Sequence, residues 1–282
     1  MKKTSILAAT IAMALGASST AFAGNVANVL QDGSGNTAAV TQTNSAVTMT
    51  ANITTTGDDN SATINQDDSW AALATISQLG SNANNATIDQ NTTSDYSTAT
   101  IDQTGADSST ASISQVDADD STAYISQNAT LGSVATINQS GSLQAAEIYN
   151  DNSYFSSATI NQSGAENTAF VEQYNFSDDS TASIDQAGTL NMGEILQDDA
   201  FASSADIDQV GDDNYASIGQ FGDYNDAVIY QDGVGNNAVI SQLGNGGSGN
   251  SNYAGITQYG AAHTATITQA GGGGNTATVY QD

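Results

Sequence analysis

The chain has 282 residues, with 30 Asp or Glu against two Lys or Arg, and a formal net charge of −28. The two basic residues are Lys2 and Lys3, so the rest of the chain has no lysine or arginine with which to hold nucleic acid or anionic lipid. There is no Cys and no Pro, which excludes a disulfide framework and leaves strand pairing without proline breaks.

The opening stretch differs from everything after it. Lys2 and Lys3 precede an apolar run over 6–15, and Ala21-Phe22-Ala23 offers a small-x-small cleavage site. This predicts a secretory signal peptide over 1–23, cleaved between Ala23 and Gly24. The run is too short to span a bilayer, and no later apolar stretch is longer. The expected location is therefore outside the cell.

From Gly24 onward one pattern repeats. In the stretch 156–173, Ser156, Ala158, Ile160 and Gln162 occupy alternate positions, as do Asn167, Ala169, Val171 and Gln173. Alternate side chains of a strand share a face, so each set lines one side of one strand. Ser163-Gly164-Ala165-Glu166 between them reads as a turn. The row Asn/Ser-x-Ala-x-Ile-x-Gln recurs 22 times, first ending at Gln31 and Gln42 and last at Gln258, Gln269 and Gln281. Its apolar position is Ile or Val in all 22 units, and its small position is Ala in 21, with Gly193 the exception. Its last position is Gln in 20, the departures being Thr55 and Asn150. Such regularity marks a repeat protein, a single array over 24–282. Row ends lie 11 to 13 residues apart, except for 16 between Gln242 and Gln258, where a Gly-rich loop over 245–249 is inserted.

The glycines set the rung. Two residues past the row ends, Gly33, Gly57, Gly80 and Gly105 alternate with Asn44, Asp68, Thr92 and Asp117. Later Gly141, Gly164, Gly188 and Gly211 alternate with Asn152, Asn175 and Asp199, in shifted phase. Alternation over two units predicts an all-β fold: a β-solenoid with two strands per rung, amyloid-like in its cross-β stacking, with about 11 rungs from 22 strand units. A lone rung would not hold, because ordering each residue costs ~1–2 kcal/mol while burying an Ile returns ~1.5–3 kcal/mol. Stacking makes up the difference. Ladders of Gln and Asn, each amide bonded to its counterpart one rung away, are expected along Gln31, Asn36, Gln42, Gln162, Asn167, Gln173, Gln209, Asn214, Gln220, Asn225, Gln231, Asn236, Gln242, Gln269, Asn275 and Gln281. Gly33, Gly164, Gly211, Gly222 and Gly233 are the expected turn glycines. The first and last rows carry the same residues as internal ones, so the ends of the column are predicted to accept another copy.

The motif Gln-x-Gly-x-x-Asn-x-Ala-x-x-x-Gln stands unbroken at Gln31/Gly33/Asn36/Ala38/Gln42 and at Gln162/Gly164/Asn167/Ala169/Gln173. It recurs over Gln209/Gly211/Asn214/Ala216/Gln220, Gln220/Gly222/Asn225/Ala227/Gln231 and Gln231/Gly233/Asn236/Ala238/Gln242. It resembles the curlin repeat of curli, the extracellular amyloid fibres of Gram-negative bacteria. The resemblance implies a structural subunit that self-assembles into surface fibres supporting biofilm matrix and adhesion. It also implies a nucleator curlin, an outer-membrane export pore and a periplasmic chaperone as partners. The nearly complete set of Gln and Asn positions matches the major, fibre-forming subunit more than the nucleator.

Other signals point elsewhere. Acid pairs such as Asp58-Asp59, Asp119-Asp120 and Asp212-Asp213 fall in the arcs, where they would be solvated gatekeepers against premature assembly. Columns of them also suit Ca²⁺, a hard ion that prefers carboxylate oxygens. Paired carboxylates can hydrolyse glycosides, but no unit is set apart by unusual chemistry, so no enzyme and no cofactor are expected. His263 takes a row position usually held by Asn or Ser. Tyr124, Tyr149, Phe170, Tyr230 and Tyr280 fall on the outward phase, where glycans could bind, and threonine pairs such as Thr276/Thr278 suit ice. The alternative to a fibre subunit is thus a monomeric secreted solenoid that binds a surface, glycan, ice or calcium.

Overall fold

In the computed structural model, which describes residues 11–15, 24–44 and 48–282, the repeating row becomes two columns of parallel strands. Strands run in chain order from β1 (Ile11–Leu15), β2 (Val26–Asp32) and β3 (Thr37–Thr43) to β22 (Thr264–Ala270) and β23 (Thr276–Gln281). Odd-numbered strands pair with odd, and even with even, giving one sheet of 12 strands and one of 11 among the described residues. Each strand is followed by an arc that carries the chain to the other sheet, so two strands and two arcs make a turn of the solenoid. There are about 11 turns.

Register follows the row. In the odd sheet Ile137 lies opposite Ile160, Ile160 opposite Ile184, and Ile184 opposite Ile207, with the glutamines aligned two residues on. A one-residue slip would turn every Ile and Gln to solvent, so the strict alternation of the row specifies the pairing. The inward faces of the two sheets meet in a core of Ile, Val and Ala, and Ile64 to Ile240 are fully buried in unit after unit. Gly193 replaces an Ala where an added Cβ would stand 2.9 Å from Ile184 Cγ2.

The shifted phase of the glycines has a structural reason. Arcs are of two kinds. A tight arc has four residues between rows, as at 163–166, and a wide one five or six, as at 91–96. Tight arcs stack on their glycines: a Cβ on Gly164 would come 2.1 Å from the carbonyl oxygen of Gly188, whose own would come 2.0 Å from that of Gly211. Both have positive φ, 103° and 124°. Only glycine tolerates that approach. The wide arcs at Gly80 and Gly105 lack that glycine-on-glycine contact and have open space beside the glycine, and further wide arcs turn through residues such as Asp117 (φ 50°) and Asp120 (φ 51°) around a buried small residue such as Ala118. Tight arcs follow even strands at Gly33 and Gly57, and odd strands from Gly141 onward, with one more after an even strand at Gly222. Between Gln66 and Ser133 every arc is wide. The tight column therefore changes edge across a stretch where neither edge is tight.

The predicted leader, including Ala23, lies outside the described residues except for Ile11–Leu15. That segment, β1, pairs with β3, placing Ile11 opposite Ala38 and Leu15 opposite Gln42. Gly24 is exposed at the start of the described array.

Candidate functional site: amide ladders and strand edges

The inward glutamines stand at the end of each row, where the pleat directs them between the two sheets. In the odd sheet they form one unbroken chain: Gln42 Nε2 donates to Gln66 Oε1, and the pattern continues through Gln162, Gln186, Gln209 and Gln231 to Gln258 and Gln281, all at 2.7–2.9 Å. Every bond points the same way, each rung donating toward the C-terminal end. The second amide hydrogen crosses the core: Gln162 Nε2 reaches Ala145 O at 3.0 Å and Gln209 Nε2 reaches Met192 O at 3.1 Å. One side chain thus ties its rung to the next and one sheet to the other. Buried polar groups with every donor used hold such a core in one register.

The even sheet differs. Its ladder runs from Gln78 through Gln103 to Gln127, and again from Gln173 through Gln197, Gln220 and Gln242 to Gln269. It is interrupted at Asn150 and Thr55, the two departures seen in the sequence. Asn150 is one methylene shorter than glutamine; its Nδ2 and Oδ1 are buried without partners, as is Gln173 Oε1 on the next rung. At Thr55 the Oγ1 is unpartnered, together with Gln78 Oε1 and both amide atoms of Gln31. Gln31 therefore forms no ladder bond, in contrast to the expectation, because its neighbour on the next rung is Thr55.

The asparagines form part of the expected ladder, with amide-to-amide bonds from Asn191 to Asn167, Asn214 to Asn191 and Asn252 to Asn225, and they also bind the arcs. Asn36 Nδ2 donates to Asp32 O at 3.0 Å and Gly57 O at 2.8 Å, while its Oδ1 accepts from Asn60 N at 2.9 Å. Asn167 does the same with Ser163 O, Gly188 O and Asn191 N, each at 3.0 Å. Asn214 reaches Gly233 O at 3.0 Å, Asn225 reaches Gly222 O at 2.7 Å, and Asn236 reaches Gly260 O at 3.2 Å. The asparagines mainly fasten the arc of their own rung to the arc of the next, through the carbonyls that the turn glycines present. Direct Asn-to-Asn bonds occur too, as from Asn275 Nδ2 to Asn252 Oδ1 at 3.1 Å. His263 keeps the arc contact through its backbone N–H, which donates to Asn236 Oδ1 at 3.0 Å.

The first even strand, β2, and the last odd strand, β23, present the internal row with less cover. Ala27, Val29, Ala277 and Val279 are only partly buried, whereas the equivalent residues of inner rungs are sealed. In the described residues β22 ends one sheet and β23 the other, while β2 begins the even sheet and β1 precedes β3 in the odd one. Among the described residues no three His, Cys, Asp or Glu side chains are grouped to hold a metal ion. Among the same residues no helix is long and apolar enough to cross a membrane.

A protein-family model described as curlin associated repeat matches residues 156–188, 202–233 and 249–282. All three segments lie where tight, glycine-bearing arcs follow the odd strands. No curated protein matches the chain.

Proposed function

From the premise that this chain is a curlin-repeat protein, we propose that it is the subunit of an extracellular amyloid-like fibre, growing by head-to-tail stacking of solenoids. The observation that carries this reading is the odd-sheet ladder, in which each glutamine from Gln42 to Gln258 donates in the same direction to its counterpart one rung on. In register with the inner rungs, β2 and β3 of one copy continue β22 and β23 of another. Gln269 and Gln281 then donate to Gln31 and Gln42 of the added copy, in the one direction that every inner ladder bond follows. The edge of β3 that Ile11–Leu15 covers is the edge the added copy needs, so removal of a leader ending at Ala23 would free it. Secretion, a nucleator, an export pore and a chaperone accompany this reading, as does a role in biofilm matrix and adhesion.

The test is to follow purified residues 24–282 by amyloid-dye fluorescence and electron microscopy, first unseeded and then with fragmented product. Fibres that appear after a lag, and without a lag on seeding, are expected. A chain that stays monodisperse in the presence of seed would leave the solenoid intact and move its role to binding as a monomer.

A further inference from the structure

The outward face of the even sheet carries a pattern that neither the core nor the ends require. Over four strands, β10 (Thr122–Asn128), β12 (Ala145–Asp151), β14 (Thr168–Tyr174) and β16 (Met192–Asp198), register stacks Tyr124, Glu147, Phe170 and Glu194 in one column. The adjacent column holds Tyr149 and Glu172 on consecutive strands. Rings and carboxylates thus alternate along the axis, offset between columns, so each ring has a carboxylate beside it. The chain has only four glutamates, Glu147, Glu166, Glu172 and Glu194, and three of them lie here. Apart from Glu166, its acids elsewhere are aspartates, many of them in the arcs.

The geometry is organised. The Tyr124 and Tyr149 rings are 5.4 Å apart at 55°, and Tyr149 Oη donates to Glu147 Oε2 at 2.9 Å. Burial, then the hydrogen bond and charge of Glu147, push the Tyr149 phenol up to about 12. It therefore remains a neutral ring with its hydroxyl committed to the carboxylate. A surface hollow of about 250 Å³ opens beside it, lined by Phe170, Glu172, Met192, Glu194 and Ile195. A planar cation is the species that such a face suits, since ring faces attract cations and carboxylates pair with them. A second copy of this chain cannot supply it, because no Lys or Arg follows Lys3.

We propose that this face binds arginine-bearing basic segments of another protein, each guanidinium lying on a Tyr or Phe ring and pairing with the neighbouring glutamate. Guanidinium is planar, weakly hydrated and forked toward carboxylates, whereas ammonium is a compact, strongly hydrated charge. The site therefore prefers arginine to lysine and is complete on one solenoid, whether or not solenoids stack.

The test uses residues 24–282 immobilised at low density, with an arginine-only peptide and a lysine-only peptide of equal length as probes. Arginine should bind about tenfold more tightly, as two ring contacts of the exposed kind would give. E147Q/E172Q/E194Q should lose about that factor for arginine. D58N/D59N/D68N, which removes the same charge from arcs, should change binding less than twofold. Y124S/Y149S/F170S should abolish the preference while retaining the weaker, salt-sensitive attraction of both peptides. Circular dichroism of each variant checks that the strands persist. Equal binding of the two peptides, or an equal loss from the arc variant, would overturn the proposal and reduce the face to diffuse charge.

Discussion

Replacing Asn150 with Gln should rejoin the even-sheet ladder and stabilise the solenoid by about 2 kcal/mol. Asn150 is sealed from solvent, lies in register between Gln127 and Gln173, and leaves two of its own atoms and Gln173 Oε1 unpartnered. The column on either side is already built for glutamine, so the longer side chain enters a space of the right depth. The added methylene contributes ~0.8 kcal/mol on burial. Bonds from Gln127 to residue 150 and from there to Gln173 contribute ~0.5–1.5 kcal/mol each. Freezing one more rotor offsets ~0.5–1 kcal/mol of this. The assay is urea unfolding of the unassembled chain, read as a higher midpoint with an unchanged slope. The reverse change in the unbroken ladder, Gln162→Asn, should lower the midpoint by a similar amount. A midpoint for Asn150→Gln at or below the parent value would mean that the orphaned amide is already satisfied, and would refute the ladder argument.

Three further outcomes follow from the arcs and faces. Gly188→Ala places a Cβ 2.0 Å from Gly211 O at a φ of 124°, so thermal unfolding should show a loss greater than ~2 kcal/mol, or no folded product at all. Thr92, exposed and β-branched at a φ of 56°, stands where an earlier arc has Asn44 at the same angle; Thr92→Asn should gain about 1 kcal/mol in the same assay. Asp206 and Asp226 are held above the ordinary carboxylate range by burial, Asp206 also by the charges of Asp185, Asp208 and Asp226. A carboxyl raised in this way weakens the fold when ionised, so its contribution is most favourable below its unfolded value, ~3.9, and is lost as pH rises through the raised value. D206N/D226N should accordingly raise the unfolding midpoint at pH 7 and leave it unchanged near pH 3.

The architecture was legible because a period of two is hard to mistake when it fixes Ile or Val in every unit and Gln in nearly every one. Alternation of Gly33, Gly57 and Gly80 with Asn44 and Asp68 was enough to place two strands in a rung. The work of the asparagines was less visible. Asn36 and Gln42 look equivalent as members of a row, yet Asn36 bonds to the backbone of its own and the next arc, while Gln42 bonds to the side-chain amide of the next rung. Left-handed conformations at Thr92, Phe155 and Tyr224 contradict local preference and arise because stacked arcs impose one shape on whatever residue falls there. Thr55 and Asn150 stood out as departures, but their cost depends on which strands are neighbours. The checkerboard of rings and glutamates was hidden for the same reason: Tyr124, Glu147, Phe170 and Glu194 are about one turn apart in sequence and meet only through register.

The measurement that bears most directly on head-to-tail stacking is mass per length of single filaments, taken together with fibre diffraction. About 11 turns at ~4.8 Å each make one copy ~53 Å long. A chain of 28.5 kDa over that length gives roughly 0.5 kDa per Å, with a 4.7–4.8 Å reflection along the fibre axis. Filaments in which each chain occupies a single flat layer would show the same reflection at about 6 kDa per Å. That value would contradict the solenoid as the unit of growth.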